Sequence, residues 1–343
     1  MKRKMFVFLL AAILMSSLNF AMAAEAPQKF KFAHLGRPDP FVEAGQAAVM
    51  NFKYIMEKRS SGQFQVDIYP AGTLGKEIDL LESTKSNVVQ FFSASMAALH
   101  RVFPPALLIG APYVFKNEAI AHEVIDGPFG QKLLDAFTAK TGIKAFTIMD
   151  LGFSAITNSI RPIRKPEDFK GIKFRGMDTL QVTMFESFGA SAVPISWAEV
   201  YTSLQTGVVK GQTNPPSIIA GFKINEVQKY MTLANSQYAM QFWVCNKGVF
   251  DGLSSDAKNI VRDAGRMGTF TGRGVGTLLD AKAVTEVKGK GMEVYGLSIA
   301  EVSEFQKIAS PACLKWLRTQ MEPQWVDDLL KATEEAEKKL GYR

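Results

Sequence analysis

Strand-like and helix-like stretches alternate from the start of the chain, and this order constrains the fold more than any other feature of the sequence. Period-2 apolarity in "QKFKFAHL" predicts a strand, and "DPFVEAGQAAVMNFKYIMEK" has helical spacing. A strand in "FQVDIYPAG" and a helix through "EIDLLESTKSN" follow. "VVQFFSAS" is a continuous apolar run, typical of a strand buried on both faces. The βαβαβ order predicts an α/β fold with a mostly parallel sheet and flanking helices.

The chain is long enough for two such domains, since 343 residues exceed one ordinary domain. The strand-like stretch "KYMTLANSQYAMQFWVCN" is long enough to pass from one domain to the other, and residues 254–291 read as one long helix softened by glycines. We therefore expect two hinge-linked lobes with a cleft between them. The predicted division is residues 24–151 with about 240–280 in lobe I, residues 152–239 with about 281–330 in lobe II, and a C-terminal helix over about 322–341.

The N-terminus has the pattern of a secretory signal peptide. Lys2, Arg3 and Lys4 precede the apolar run "MFVFLLAAILM", which is too short to span a membrane, and "AMA" ends at Ala23. The sequence predicts a signal peptide over residues 1–23, cleaved near Ala23/Ala24, and an exported mature protein. The two cysteines, Cys245 and Cys313, can pair in an oxidising compartment, and their spacing leaves that question open.

The charged residues indicate neither a nucleic-acid-binding nor a metal-binding protein. The net charge is +7, but Lys and Arg are interspersed with Asp and Glu, and the sequence has no basic stripe. The histidines lie far apart, and "AHEVID" carries Asp126 where the zinc motif HExxH needs its second histidine. We expect no metal and no cofactor.

Several enzyme motifs are incomplete. "AGTLGKE" lacks the spacing of a phosphate-binding loop, and Glu77 follows its lysine where that loop needs Ser or Thr. "GFSAI" has the wrong residues for a nucleophile elbow. Scattered acids such as Glu199 are more typical of helix caps or solvated faces than of a catalytic pair. The sequence therefore favours a protein that is not an enzyme.

Three side chains at strand ends are suited to binding an anion. In "FKGIKFRGMDTLQ" a short apolar strand ends at Arg175, Trp197 opens a helix, and Asn214 lies in a "TNPP" turn. In open α/β sheets ligands bind outside the carboxyl ends of the strands. A guanidinium at such an end takes a carboxylate or sulfonate by two parallel hydrogen bonds. The alternatives are an exposed charge for Arg175, core packing for Trp197 and a turn residue for Asn214.

Residues 161–231 resemble the solute receptors of tripartite ATP-independent periplasmic (TRAP) transporters, the DctP family. The resemblance rests on "DFKGIKFR", "GASAVPISWAEVYTSLQTGVVKGQTNP" and "EVQKYMTL". "IYPAGTLGKEIDLLE", "APYVF" and the signal peptide extend it to almost the whole chain. It implies two α/β lobes that close over an organic anion, a long helix between them, and periplasmic location. It also implies delivery of the ligand to a small and a large membrane subunit, by a receptor that works as a monomer.

The resemblance assigns roles to the residues at the strand ends. It implies that Arg175 pairs with the acid group of the ligand, that Asn214 contacts the ligand and that Trp197 forms an aromatic wall. Ser154 stands where many members carry a second arginine. Leu35 and Ala94 stand where members that bind sugar acids have polar groups.

A single arginine leaves room for an apolar ligand body. Phe91, Phe92, Phe153 and Trp197 can line such a body, although phenylalanines are more often core residues. Asp178 can meet a ligand amino group or cap the following helix, with Gln181 in the capping-box position. The expected ligand is an aromatic amino acid or an indole or phenyl acid. The alternatives are a C4-dicarboxylate or small sulfonate ligand, and a subunit that senses the ligand for a signalling protein.

Overall fold

The computed structural model describes residues 26–342, which form two lobes, each built on one β-sheet. The predicted signal peptide lies outside the described residues. The strands are β1 Gln28–Ala33, β2 Phe64–Tyr69, β3 Phe91–Ser95, β4 Ile143–Phe153, β5 Ala155–Asn158, β6 Lys173–Gly176, β7 Ser191–Pro194, β8 Gly211–Asn214, β9 Tyr230–Leu233, β10 Tyr238–Asn246 and β11 Glu293–Gly296.

Helices surround both sheets. They are α1 Ala44–Arg59, α2 Glu77–Lys85, α3 Met96–Leu99, α4 Glu118–Ile125, α5 Pro128–Thr141, α6 Thr179–Ser187, α7 Val200–Gln205, α8 Pro216–Gly221, α9 Lys247–Gly252, α10 Ser255–Gly289, α11 Ile299–Gln320 and α12 Pro323–Lys339. Short 3₁₀ helices lie at Pro104–Gly110, Pro166–Phe169, Trp197–Glu199 and Ile224–Glu226. Within residues 26–342 none of the helices combines the length and apolarity that crossing a membrane requires.

The first sheet has the strand order β2-β1-β3-β10-β4. Strands β1, β2 and β3 are parallel, as the βαβαβ pattern predicts. Strand β10 runs antiparallel to both β3 and β4, so the sheet is mixed, but its other four strands run in one direction, as the prediction of a mostly parallel sheet requires. Strand β10 enters this sheet from the other lobe, because β9, the strand before it, pairs in the second sheet.

The second sheet has the order β11-β9-β5-β8-β6-β7 and is also mixed. Strand β6 lies parallel to β7 and β8, while β5 runs antiparallel to β8 and β9. Strand β5 is the continuation of β4 after the chain leaves the first lobe. The mixed order again follows from a strand that crosses between the lobes.

Four connections join the lobes: the step from β4 to β5, the segment 234–237 between β9 and β10, the long helix α10, and helix α11, which packs on α6 in the second lobe and leads to α12 on α4 in the first. The two strand crossings are bonded to each other, because the Ser154 amide donates to the Gln237 carbonyl at 2.9 Å. Helix α10 packs on α1 and β4 in the first lobe and on α8 in the second. Two paired strands and a shared helix form a connection that permits hinge motion between the lobes.

Glycines let helix α10 lie close to the first sheet. A Cβ atom on Gly268 would come within 2.8 Å of the Trp243 ring and 2.9 Å of the Ala48 carbonyl. A Cβ atom on Gly272 would come within 2.7 Å of Met149. These glycines therefore serve close helix packing, which explains why the long helix carries residues that weaken isolated helices.

A buried polar cluster, the Asp150 cluster, links elements that belong to three of these connections. Its members are Asp150 on β4, His122 on α4, Tyr238 at the start of β10, and Arg273 on α10. Asp150 accepts from Arg273 Nε at 2.6 Å, from the Tyr238 hydroxyl at 2.7 Å, and contacts His122 Nε2 at 3.0 Å. Arg273 also forms a two-bond pair with Asp126. The elements that lead into the lobe crossings are thus anchored on one carboxylate.

The two cysteines are free in the structure. Cys245 lies on β10 and Cys313 on α11, and both are buried. They belong to different apolar clusters of the core. Their side chains therefore act as small apolar groups in separate parts of the protein.

Candidate functional site

The strand ends of both lobes meet at the lobe boundary. In the first sheet Ser95, the last residue of β3, pairs with Gln241, and Phe153 at the end of β4 pairs with Tyr238. In the second sheet Asn214, the last residue of β8, pairs with Ala155 at the start of β5. These residues adjoin the crossing strands. The predicted ligand-binding edge is therefore the edge at which the lobes face each other.

Arg175 is a buried cation at this boundary. Its side chain is 2% exposed, which excludes the alternative of an exposed strand-end charge. Nε donates to the Ile195 carbonyl at 2.9 Å, the one hydrogen bond of this side chain within residues 26–342. Burial lowers the pKa of Arg175 to about 10, while the charges of Asp178 and Glu77 act to raise it. The guanidinium therefore stays charged at neutral pH and keeps its terminal nitrogens for another partner.

Asp178 caps the helix that follows Arg175. It is 3% exposed, and Oδ1 accepts from the Gln181 amide at 2.8 Å at the start of α6. The Gln181 side chain in turn accepts from the Met177 amide at 2.7 Å. Burial raises the pKa of Asp178, although the charges of His100 and Arg175 oppose the rise. Asp178 has the capping role, and its charge also lies close enough to act on Arg175.

Asn214 and Ser154 lie beside each other at the lobe crossing. Asn214 pairs with Ala155, the residue after Ser154, and its amide nitrogen donates to Gln212 Oε1. Ser154 is buried, and its main-chain amide bonds to Gln237. Serine at this position carries no charge, so Arg175 is the one arginine among the predicted site residues.

Two of the predicted aromatic residues are half-buried at the boundary. Trp197 follows two residues after Ile195, which bonds to Arg175, and packs edge-on against Phe222 with ring centroids 4.8 Å apart. Phe153 packs against Tyr238 with centroids 4.8 Å apart. Each ring keeps part of its surface free, so both can contact an apolar ligand body.

Phe92 and Phe91 are buried and pack in the apolar core. Phe92 is 0% exposed and packs in the larger apolar cluster, between its strand neighbours Ala33 and Val244. Phe91 points to the opposite face of the sheet, against Phe32 and Phe52. Phe92 therefore has core contacts, as the continuous run "VVQFFSAS" predicts for a strand buried on both faces, and its contact with a ligand stays a prediction.

Glu77 is a site residue that the sequence pattern missed. It is the first residue of α2 in the first lobe, and Oε1 accepts from the Ser95 amide at 2.8 Å. Burial raises the pKa of Glu77, while bonds from Ser95 and the charge of Arg175 lower it. Its carboxylate therefore faces the lobe boundary close enough to Arg175, in the second lobe, for their charges to interact.

Three buried polar atoms near the lobe crossing have no hydrogen-bond partner among the described residues. They are the Tyr113 hydroxyl, the Ser236 hydroxyl and Gln237 Oε1. Their residues are adjacent, since the Tyr113 amide donates to the Ser236 carbonyl at 3.0 Å. The Gln237 amide nitrogen donates to the Gly110 carbonyl at 2.7 Å, so Oε1 is left as an acceptor. Buried polar atoms without partners are uncommon in proteins.

Two buried ionisable residues follow β1: His34, directly after the strand, and Glu43, the N-cap of α1. Nδ1 of His34 accepts from the Gly36 amide at 3.1 Å, and Nε2 lies 2.8 Å from Gln46 Oε1, so a neutral ring with its proton on Nε2 satisfies both contacts. Burial lowers the pKa of His34 to about 4. Burial raises the pKa of Glu43 to about 7, against the bond from Gly45 and the charge of Arg37. Both side chains therefore favour their neutral forms.

These two groups are expected to oppose each other in the pH dependence of stability. His34 binds fewer protons when folded, so its contribution to the free energy of unfolding rises as the pH rises from about 4 to 6.5. Glu43 binds more protons when folded, so its contribution falls as the pH rises from 4.5 to about 7. Glu43→Gln removes the second effect. We expect this variant to lose about 2–3 kcal/mol more stability than the wild type on acidification from pH 6.5 to 4.5.

Urea unfolding at several pH values measures this difference. The control is His34→Gln, for which the stability should instead decrease less on acidification than in the wild type. Parallel pH profiles of the wild type and Glu43→Gln would show that Glu43 is ionised in the folded protein near pH 5.

This chain is similar to known solute-binding proteins of one family. Residues 42–320 match the family model DctP, described as bacterial extracellular solute-binding protein, family 7. A C4-dicarboxylate-binding periplasmic protein from Rhodobacter capsulatus is 32% identical over 303 residues, which cover 86% of this chain and 89% of that protein. A solute-binding protein from Verminephrobacter eiseniae is 32% identical over 282 residues, 79% of this chain and 84% of that protein.

A solved structure is similar over the same length. The sugar acid binding protein of Advenella mimigardefordensis, in complex with galactonate, superposes with a TM-score of 0.84 at 30% identity. The superposition covers 90% of this chain and 99% of that chain. Proteins of comparable similarity to this chain thus bind a dicarboxylate in one case and a sugar acid in the other. The two share an acidic ligand and differ in what surrounds the acid group.

Proposed function

This chain belongs to family 7 of the bacterial extracellular solute-binding proteins, the DctP family, and we propose that it is the receptor of a TRAP transporter that captures an organic acid between its lobes. Family and fold are those of solute receptors rather than enzymes. Arg175 pairs with the acid group of the ligand, and Asn214 orients it. Trp197 and Phe153 cover the ligand body, with Ser154 beside them at the lobe crossing.

The observation that carries this proposal is the buried guanidinium of Arg175. Burying a charged group without enough hydrogen bonds costs much free energy, and the hydrogen bond of Arg175 within residues 26–342 uses Nε, which donates to the neutral Ile195 carbonyl. Its terminal nitrogens form the planar fork that fits a carboxylate by two parallel hydrogen bonds. A ligand acid group at this place supplies the missing partner.

The residues around Arg175 favour a monocarboxylate with an apolar or aromatic body. Ser154 supplies no second cation, and half-buried rings of Trp197 and Phe153 are available. Leu35 and Ala94 offer no polar groups to a polyhydroxylated sugar acid. A C4-dicarboxylate or a small sulfonate is the alternative, and the relative from Rhodobacter capsulatus supports the first of these.

The receptor role implies a cellular location and membrane-protein partners. We propose that the signal peptide directs the chain to the periplasm, where the monomeric receptor closes over its ligand and docks on a small and a large membrane subunit. The binding energy of the ligand then stabilises the closed arrangement of the lobes. The protein performs no chemistry on the ligand.

The proposal is tested by native mass spectrometry of the protein as purified, followed by identification of the compound released on denaturation. An indole or phenyl acid, or an aromatic amino acid, supports the aromatic ligand body. A dicarboxylate or sulfonate keeps the receptor role and moves Trp197 and Phe153 out of the binding site. A retained ligand without an acid group contradicts the role of Arg175.

A further inference from the structure

A hydrogen bond between the lobes involves none of the predicted ligand-binding residues. Arg37 lies in the loop that joins β1 to α1 in the first lobe, and its Nη1 donates to the carbonyl of Gly221, the last residue of α8 in the second lobe. The same two segments touch at a second point, because a Cβ atom on Gly221 would lie 3.1 Å from the Val42 carbonyl. These two contacts are named the Arg37 clasp.

The first-lobe side of the clasp is fixed by its own loop. The Gly36 amide donates to His34 Nδ1 at 3.1 Å, and the Ala71 amide donates to the Gly36 carbonyl at 2.8 Å. The main-chain amide of Arg37 donates to the buried carboxyl group of Glu43, the N-cap of α1. Because the backbone is held on both sides of Arg37, its side chain is presented at one place on the edge of the first lobe.

The second-lobe side of the clasp continues into the predicted ligand site. Helix α8 begins two residues after Asn214, the residue proposed to orient the ligand, and the Ser217 amide donates to Asp280 Oδ1 on α10 at 2.7 Å. The last carbonyls of a helix have no donor within the helix and favour a nearby cation. Arg37 therefore binds the open end of a short helix whose other end adjoins Asn214.

The clasp lies across the part of α10 at which this helix passes from one lobe to the other. On the first-lobe side, the Cβ position of Gly276 lies 3.7 Å from Ala44 at the start of α1. On the second-lobe side, Asp280 bonds to α8. A cavity of about 130 Å³ remains beside the clasp, between the loop, α8 and α10, and it is large enough for water. The lobes therefore meet here through a hydrogen bond beside a gap, not through a sealed apolar interface.

We propose that the Arg37 clasp forms only when the lobes close, and that Arg37 is a positioning residue that prolongs the binding of the acid without touching it. This inference rests on the proposed receptor function and adds a residue to it. In the open arrangement the guanidinium and the Gly221 carbonyl bond to water, and on closure they bond to each other. A bond to a charged group favours the state in which it forms. The acid in the cavity lining, Glu286, bonds to Lys290 at 2.6 Å and so has its own cation.

The distance between the lobes, measured by pulsed electron paramagnetic resonance, tests the inference without any ligand. Spin labels are attached to cysteines that replace two exposed residues, Glu82→Cys on α2 and Lys170→Cys in the second lobe, in protein freed of bound compounds by dialysis. The native cysteines are buried and stay unlabelled. We expect a short-distance population in the wild type, and we expect Arg37→Ala to reduce it at least about threefold.

Three further variants locate the effect at the clasp. Gly221→Ala disturbs it from the other lobe, because the added Cβ atom presses on the Val42 carbonyl, and it should also reduce the short-distance population. Arg37→Lys keeps a cationic donor and should restore part of this population. The matched control is Arg59→Ala, since Arg59 bonds to Asp263 on α10 at 2.5 Å within the first lobe, and it should leave the distances unchanged. Thermal unfolding checks that each variant is folded.

Binding kinetics provide the second measurement. The probes are indole-3-propanoate, 3-phenylpropanoate and succinate, and surface plasmon resonance gives their rates. For each probe that binds the wild type, Arg37→Ala should raise the dissociation rate about tenfold and leave the association rate within about twofold, because the clasp forms after the encounter. Arg175→Ala should instead abolish the binding, which is the requirement of the proposed function.

Equal distance distributions in the wild type and Arg37→Ala would overturn the inference. A loss of thermal stability with unchanged dissociation rates would also overturn it, since the Arg37 bond would then be a fixed part of the fold. An effect confined to the association rate would make Arg37 a charge that steers the ligand and not a clasp. These three results leave the receptor role intact, whereas binding that is insensitive to Arg175 contradicts that role.

Discussion

Replacing Arg175 by alanine is expected to lower the affinity for the bound acid by at least about 3 kcal/mol, more than a hundredfold, while the protein stays folded. Each hydrogen bond between a guanidinium and a carboxylate contributes roughly 1.5–3 kcal/mol net when water is excluded, and the fork of Arg175 can make two. The measurement is titration calorimetry with the ligand identified by mass spectrometry. Circular dichroism and thermal unfolding establish that the variant is folded.

Two control variants separate the effect of the paired hydrogen bonds of the Arg175 guanidinium from the effect of its positive charge. Arg175→Lys keeps a positive charge but loses the paired geometry, so its affinity should lie between those of the wild type and the alanine variant. Arg101→Ala removes an exposed arginine and should leave the affinity unchanged. An unchanged affinity in Arg175→Ala would show that the acid group binds elsewhere and that the burial of Arg175 has a purely structural cause.

Local patterns predicted most of the elements and the cation of the site. The run ending at Arg175 forms a strand, and Asp178 caps the helix after it, as the sequence suggests. Both features depend on a few neighbouring residues. The long helix over Ser255–Gly289 likewise follows from the spacing of its own residues. The division of the chain between the lobes is a prediction that the family and fold leave untested.

Contacts between distant segments could not be predicted in this way. Glu77 interacts with Arg175 only because the lobes face each other across the boundary, and no local pattern encodes that arrangement. Phe92 was predicted to line an apolar ligand body, and the sheet buries it among core residues, so that its contact with a ligand stays a prediction. Burial on both faces of a strand is visible in the sequence as a continuous apolar run, and this run predicts the core contacts of Phe92.

Replacing Asp150 by alanine is expected to be the most destabilising single change at the hinge, with a loss of about 3 kcal/mol in the free energy of unfolding. Asp150 is buried and bonds to Arg273, His122 and Tyr238. Burial alone acts to raise the pKa of Asp150, but these contacts lower it below its ordinary value. Its removal leaves Arg273 with Asp126 as its remaining acidic partner and leaves the Tyr238 hydroxyl with His122.

Denaturant unfolding of Asp150→Ala measures this loss, and Asp327→Ala is the matched control. Asp327 also bonds to an arginine, Arg318 Nη2 at 2.6 Å, but both side chains are exposed to solvent, so the control should leave the unfolding midpoint nearly unchanged. The size of the difference decides what the Asp150 cluster does. A large loss of stability in Asp150→Ala means that the hydrogen bonds to the Asp150 carboxylate hold the hinge elements together. Equal midpoints for the two variants would mean that helix packing at Gly268 and Gly272 holds the lobes without it.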